Sequence, residues 1–418
     1  MELRPNYRLT EVGVIPADWE IKTVGNLSQM VTVGFVGSMA HLFTTNGIPL
    51  LRGQNVLPRK IDLTGSKFIS VQTHNLWKKS ALRAGDITIV RVGYPGTCAV
   101  IPKNFGEANA ASLVIVRPIS SLVESDFMCW VLLSDIGRKQ INAALVGGAQ
   151  QVINIGMATS LVLPLPERSE QCIISAALND VDALLNSLDR LIAKKRDLKQ
   201  AAMQKLLTGQ TRLPGFQGKW EQVRLGELFS FKNGLNKGKQ FFGFGTPIVN
   251  YMDVFKNASL LCSQLQGRVS LTKQEIENFD VRKGDVLFTR TSETPEEIGL
   301  TGAILDEPIQ TVFSGFVLRG RPKSDRLDDS FKAYCFRSSF VRNQIISKAT
   351  YTTRALTNGR VLSAVMLLVP GKAEQIAVAK MLSDIDAELA ALEQCREKTR
   401  ALKHGMMQEL LTGKTRLH

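Results

Sequence analysis

The segment LLTGQTRL at 206–213 returns as LLTGKTRL at 410–417, 204 residues later. Extended without gaps, Leu163–Leu213 aligns with Leu367–Leu417, and 23 of those 51 positions are identical. Among them are Glu170/Glu374, Gln171/Gln375, Asp182/Asp386, Arg196/Arg400 and Met203/Met407. An offset near half of the 418 residues marks an internal repeat. Upstream the match is fainter but keeps its order. IPADWEIKTVGNL (15–27) parallels GKWEQVRLGEL (218–228), GIPLLRGQNV (47–56) parallels TPIVNYMDV (246–254), and LRAGDITIVRVG (82–93) parallels VRKGDVLFTRTS (281–292). The implied order is variable domain, helix, variable domain, helix.

The two similar segments predict long helices. From Ser169 to Leu207 there is no proline, and Gly209 falls just past the end, as a C-terminal cap does. Ile174, Leu178, Val181, Leu185, Leu188 and Ile192 are spaced 4-3-4-3-4, a coiled-coil seam. The second copy offers Val378, Leu382, Ile385, Leu389 and Leu392, then Arg396, where the seam is expected to shift to Cys395, Leu402 and Met406. A helix of about 39 residues is a rod of roughly 58 Å, and two such rods are expected to pack antiparallel. Homodimerisation through each helix is the competing use of the same seam.

Between the helices lie short β-branched and aromatic runs (DITIV, SLVIVRP; DVLFTR, GFVLRG) broken by Gly, Pro and Asn, with one helical stretch late in each region. These predict mixed α/β (α+β) domains with a mostly antiparallel or mixed sheet. The expected boundaries are 1–167 and 211–371 for the two domains, and 168–210 and 372–418 for the helices.

Composition narrows the function. Lys plus Arg number 52 against 38 acidic residues, for a formal charge of +14, which favours a polyanion such as nucleic acid. No apolar run approaches the roughly 18 residues that span a bilayer, and the polar start MELRPNYRLTEVG has no signal-peptide core. The six cysteines form no C-x-x-C pair and read as buried small hydrophobes in a reducing compartment. The sequence lacks a G-x-x-x-x-G-K-[ST] phosphate loop, an N/D-P-P-aromatic motif, H-E-x-x-H and G-x-S-x-G. The acidic run TSETPEEIG (291–299) crowds one proline-containing loop and reads as a solvated loop rather than a metal site. The chain is therefore expected to catalyse nothing by itself, and to hold no cofactor or metal.

Candidate binding residues cluster where strands open into loops. Arg52, Gln54 and Asn55 follow one apolar run, and Asn250 and Tyr251 stand at the equivalent place in the second copy. Arg91 and Arg290 follow the Gly-Asp strands, while Gln150 and Gln151 parallel Thr352 and Arg354 before each long helix. Arg, Gln and Asn make bidentate contacts with guanine and adenine edges, although a salt bridge or phosphate contact competes for each arginine. The Gly-Asp pairs read as turns before strands, and Trp19 and Trp220 as packing anchors.

With its two variable domains, each followed by a near-copy helix ending LLTGxTRL, and an N-terminal IPADWE segment, the chain resembles the specificity subunit of bacterial type I restriction–modification systems. The resemblance spans essentially the whole chain. It implies a cytoplasmic, non-catalytic DNA-reading subunit in which each target-recognition domain binds one half of a bipartite site. It further implies that the paired helices act as spacer and docking surface for two methyltransferase subunits, with motor-nuclease subunits joining them. S-adenosylmethionine, ATP and Mg would then belong to those partners. A specificity subunit serving a methyltransferase alone, or a coiled-coil interaction protein without a DNA role, are the alternatives.

Overall fold

A computed structural model of the chain describes residues 5–146, 152–351 and 353–417. Both proline-free stretches are unbroken helices of 39 residues, Arg168–Leu206 and Lys372–Leu410. Each ends at a glycine in the left-handed region, Gly209 (φ 71°) and Gly413 (φ 66°), where a side chain would be strained. Contacts divide the chain into one unit of Met1–Leu188 with Cys395–His418 and another of Asp189–Gln394. The division therefore falls inside each long helix, and differs from the four consecutive segments expected from sequence.

In each unit a portion of one helix lies antiparallel to a portion of the other. In the first unit Lys403 pairs with Asp182, while Ile174 and Leu178 share a core with Leu410 and Leu411. In the second, Lys199 pairs with Asp386 and Lys195 with Glu388. Ile174, Leu178, Leu185, Leu188, Ile192, Val378, Leu382 and Leu389 are buried, and Val181, Ile385 and Leu392 half-buried. The expected shift of the seam holds only at Met406. Cys395 and Leu402 are exposed, and the buried stripe continues through half-buried Arg396, then Thr399, Lys403 and Met406. These polar residues fit because each is satisfied in place. The Thr399 hydroxyl donates to the Cys395 carbonyl at 2.9 Å, and the Lys403 ammonium lies 4.8 Å from the Trp130 ring. Of the cysteines, Cys98, Cys129, Cys262 and Cys335 are buried as expected, but Cys172 and Cys395 are exposed on the helices.

The first unit is built on an antiparallel sheet in the order Cys98–Val100, Ile87–Val90, Leu113–Pro118, Ser28–Val33. Ile87, Ile89, Val114 and Val116 face the core of Trp19, Phe127 and Trp130, whereas Val90, Leu113 and Ile115 face a second core. Covering both faces explains why these strands read as unbroken apolar runs. A second, mixed sheet pairs Ile48–Leu51 in parallel with Ala108–Ala110.

The second unit repeats this plan with Phe229–Asn233, Val317–Pro322, Val286–Thr289, Thr301–Ile304 and Ser259–Leu260 in one sheet. Phe242–Val249 pairs in parallel with Val312–Phe313. The Gly-Asp turns recur with the same chemistry. Asp86 accepts from the Arg83 N–H at 2.8 Å and from Arg117 at 2.7 Å; Asp285 accepts from the Arg282 N–H and from Arg321, both at 2.8 Å. A glutamine stitches each domain to the strand before its helix. Gln140 exchanges two hydrogen bonds with the Val162 backbone, both 2.8 Å, and Gln344 does so with Met366 at 2.9 and 3.0 Å.

Candidate nucleic-acid interface

In the first unit the strand Ile48–Leu51 opens at Arg52 into the turn Gly53–Asn55. Arg52 is half-buried, 5.9 Å from the Phe43 ring, and its Nε is buried without a hydrogen-bond partner. Gln54 is exposed. Asn55, expected to face a ligand, is fully buried instead. Its Oδ1 accepts from the Arg52 N–H at 3.1 Å and its Nδ2 donates to the Asp62 carbonyl (2.9 Å) and Ser66 Oγ (3.1 Å), so its amide is spent on shaping the turn.

Gly53 brings this turn against the neighbouring strand end: a Cβ there would lie 3.5 Å from Val90 Cγ1. One residue on, Arg91 donates from Nε to the Ile153 carbonyl at 2.9 Å, and the Ile153 N–H returns a bond to the Arg91 carbonyl at 3.2 Å. The turn at 52–54, Arg91 and the start of the 153 segment therefore converge. Gln150 and Gln151 lie outside the described residues. Sequence reasoning missed Tyr94, 83% exposed on the loop after Arg91. Its signal was present in V-G-Y-P-G, where Gly93 (φ 88°) and Gly96 (φ 86°) turn the chain and leave the ring at the tip.

The second unit brings its candidates together more closely. Asn250 caps the helix Tyr251–Lys256, its N–H donating to Asp253 Oδ2 at 2.8 Å. Tyr251 stacks on Phe255, centroids 5.8 Å apart. Both line a cleft of about 470 Å³ with Met252, Thr291, Ser292, Glu293, Glu297, Phe316 and exposed Arg354. Arg290 stands at its margin, its N–H bonded to the Phe316 carbonyl (2.9 Å) and its carbonyl to the Thr357 N–H (3.0 Å). The backbone bond from Arg290 to Thr357 is the counterpart of that from Arg91 to Ile153. Thr352 lies outside the described residues.

The acidic loop is part of this wall rather than free in solvent. Ser292 Oγ donates to Glu297 Oε2 at 2.8 Å, and Arg342 holds the Glu296 carbonyl at 2.8 Å from below. Burial, with the like charge of Arg337, pulls the Arg342 guanidinium down to about 10. Among the described residues no group of His, Cys, Asp or Glu could hold a metal ion, and no helix is long and apolar enough to cross a membrane. Phe316, Phe255 and the two glutamates were not foreseen, because they come together only when the helix Tyr251–Lys256 meets two loops distant in sequence.

Residues 217–402 match the family of type I restriction modification DNA specificity domains. The MjaX specificity subunit assigned in Methanocaldococcus jannaschii is 22% identical over 432 residues, covering 99% of this chain and 97% of that one. Over nearly its whole length the chain is thus similar to a type I specificity subunit. The EcoKI specificity subunit of Escherichia coli (strain K12) is likewise 22% identical over 423 residues, covering 96% of this chain and 89% of its own. The fold is shared with solved structures as well. A chain from a type I R-M system whose complex assembly and conformational transition have been studied superposes with a TM-score of 0.58 at 17% identity, covering 96% of this chain and 99% of that one. The S subunit from M. genitalium gives 0.58 at 15% identity, covering 98% of each. The Trp19–Glu170–Arg416 cluster in the first unit and the Trp220–Glu374–Arg212 cluster in the second give the repeated LLTGxTRL segments of this chain the same packing role. In each, the motif arginine and the domain tryptophan meet on one buried glutamate.

Proposed function

We propose that this chain reads DNA sequence for a type I restriction–modification complex, each unit addressing one half of a bipartite site. The observation that carries this reading is internal. Two units with nearly the same helix segments converge the same three backbone junctions, at 52, 91 and 153 and at 250, 290 and 357, while dressing them with different side chains. A shared scaffold with divergent surface chemistry is what two readers of different half-sites require. The excess of 14 positive charges suits the phosphate contacts that hold such a reader in register.

On this reading the long helices set the distance between half-sites and dock two methyltransferase subunits, with motor-nuclease subunits joining them in the cytoplasm. The chain itself performs no chemistry; S-adenosylmethionine, ATP and Mg serve the partner subunits. Sequencing the methylated bases of a host carrying the chain tests the proposal. A bipartite motif that changes in one half when one unit is exchanged supports it; an unchanged motif overturns it. Co-purification with methyltransferase but no nuclease subunit would favour the modification-only alternative.

A further inference from the structure

The strand Phe242–Val249 of the second unit carries a feature its counterpart lacks. It meets Arg268–Val269 at both Phe242 and Thr246, each opposite Val269, so residues 243–245 are extruded as a bulge. Gly243 (φ 106°) and Gly245 (φ 93°) hold backbone conformations that other residues rarely adopt. A Cβ on Gly245 would lie 2.8 Å from the Val269 carbonyl oxygen, whereas one on Gly243 would meet nothing within 4 Å. One end of the bulge is thus pressed to the sheet and the other stands in solvent. Phe244, between them, is 58% exposed, and Phe241 and Phe242 are 38% exposed.

In the first unit the equivalent stretch is instead two short strands, Phe43–Thr44 and Ile48–Leu51, each paired with Lys67–Ile69. Phe43 pairs with Ile69 as Phe242 pairs with Val269, and a Cβ on Gly47 (φ 132°) would lie 2.5 Å from the Ile69 carbonyl oxygen. Between these anchors stand Thr44, Thr45 and Asn46, where the second unit has Gly243 and Phe244. One tip is polar and the other aromatic.

Three neighbouring phenylalanines left in water need an occupant. Segment 229–249 contains Lys232, Lys237 and Lys239 and no carboxylate; Lys237 lies 4.7 Å from the Phe241 ring and pairs with Glu275 at 2.6 Å, Lys232 holds the Asn278 carbonyl, and Lys239 is exposed beside the tip. Its strand runs directly into Asn250 and Tyr251. Basic residues flanking an apolar tip, continuous with a base-reading cleft, fit duplex DNA. We propose that Phe244 is a wedge that enters the base stack beside the second half-site, unstacking one step and kinking the duplex there, while the first half-site stays stacked. This rests on the DNA-reading role proposed above. Six residue steps along the strand separate Phe244 from Asn250, about 20 Å or six base pairs at most, which bounds where the opened step lies.

The test uses the assembled methyltransferase complex on its methylated motif, with 2-aminopurine placed at successive steps other than the methylated adenines. Fluorescence reports unstacking, and energy transfer between labelled duplex ends reports the bend. A rise at one step beside the second half-site only, lost together with the bend in Phe244→Asn, is expected. Binding should weaken about five- to hundredfold, with the motif unchanged. Phe244→Trp should keep the signal. A rise and bend that persist in Phe244→Asn overturn the wedge while leaving DNA reading intact. Absence of sequence-specific binding by the unaltered complex overturns the reading beneath it. If Phe244→Asn releases partner subunits instead, the tip covers protein and the wedge is wrong.

Discussion

Arg416 grips Glu170 from 246 residues away, Nη2 donating to Oε2 at 2.8 Å. Trp19 Nε1 donates to the same oxygen at 3.2 Å, and Arg212, Glu374 and Trp220 repeat the arrangement in the second unit at 2.6 and 3.1 Å. Glu170 and Glu374 are both buried, so each carboxylate depends on its arginine. Arg416→Ala should therefore cost about 1–3 kcal/mol by stranding Glu170. Thermal or urea unfolding measures this. In a double-mutant cycle with Glu170→Gln the losses should fall short of additive; strict additivity would show that the pair does not interact.

Asn55 and Gln54 are neighbours with opposite expected behaviour. Asn55→Ala should lower stability by about 1–3 kcal/mol, since the Arg52 N–H and the Asp62 carbonyl lose their partner, and should leave the recognised motif unchanged. Gln54→Ala should leave the melting temperature unchanged and relax the first half-site. Unfolding curves paired with methylated-base sequencing separate the two; a motif change in a stable Asn55→Ala protein would contradict the burial.

Arg354 and Tyr251 share the cleft of the second unit. Replacing either with Ala should reduce discrimination in the second half-site by about 1–3 kcal/mol and spare the first. Competition binding with single-base variants reads this directly. If Arg354→Ala instead weakened all duplexes equally and lowered the salt slope by about one, Arg354 would be a phosphate contact.

Asp280 supplies a pH dependence. Burial alone would push its carboxyl up, but Arg282 and Arg321, at 2.7 and 3.1 Å, outweigh burial and hold it below the usual carboxylate range. Its contribution is complete above the unfolded value near 3.9 and fades as pH falls through the lower folded value. The stability gap between the unaltered chain and Asp280→Asn should thus be widest near pH 7 and shrink below about pH 4. A gap independent of pH would rule out the ion-pair account.

The unbroken helices permit a test of the spacer role. Leu206 and Leu207 are buried in the core of the second unit, so lengthening the chain there would disturb folding. A heptad inserted into each helix keeps the seam in phase and adds about 10 Å, or three base pairs. Both half-site sequences should persist with a wider gap in the methylated motif; an unchanged gap with efficient modification would show that another element sets it.

What was legible followed local rules. Repetition, proline-free periodicity and Gly209 predict helices that the structure places almost to the residue. The Gly-Asp turns close on themselves, Asp86 on the Arg83 N–H and Asp285 on the Arg282 N–H, although Arg117 and Arg321 complete them from afar. Asn55 shows the opposite case: an amide at a strand end can face a ligand or bind its own loop, and only Asp62 and Ser66, folded back over it, decide. The seam near Arg396 was misread for a similar reason. Lys403 is tolerated in a buried stripe because Trp130 and Asp182, far off in sequence, receive it. Phe316 and Tyr94 carry no periodicity, and their exposure emerges only when the loops are in place.

The first unit needs the final residues, Cys395–His418, whereas the second is contiguous from Asp189 to Gln394. On a ribosome this inverts the order of birth. The first unit is begun first, yet it stays open along Ile174, Leu178 and Trp19 until Leu410, Leu411 and Arg416 have been made. At 5–20 residues per second, the 230 residues after Leu188 take about 10 to 50 seconds to synthesise. During that interval the nascent chain holds one finished unit and one unfinished unit with an apolar seam on display. Chaperone demand should accordingly fall on the half made earliest.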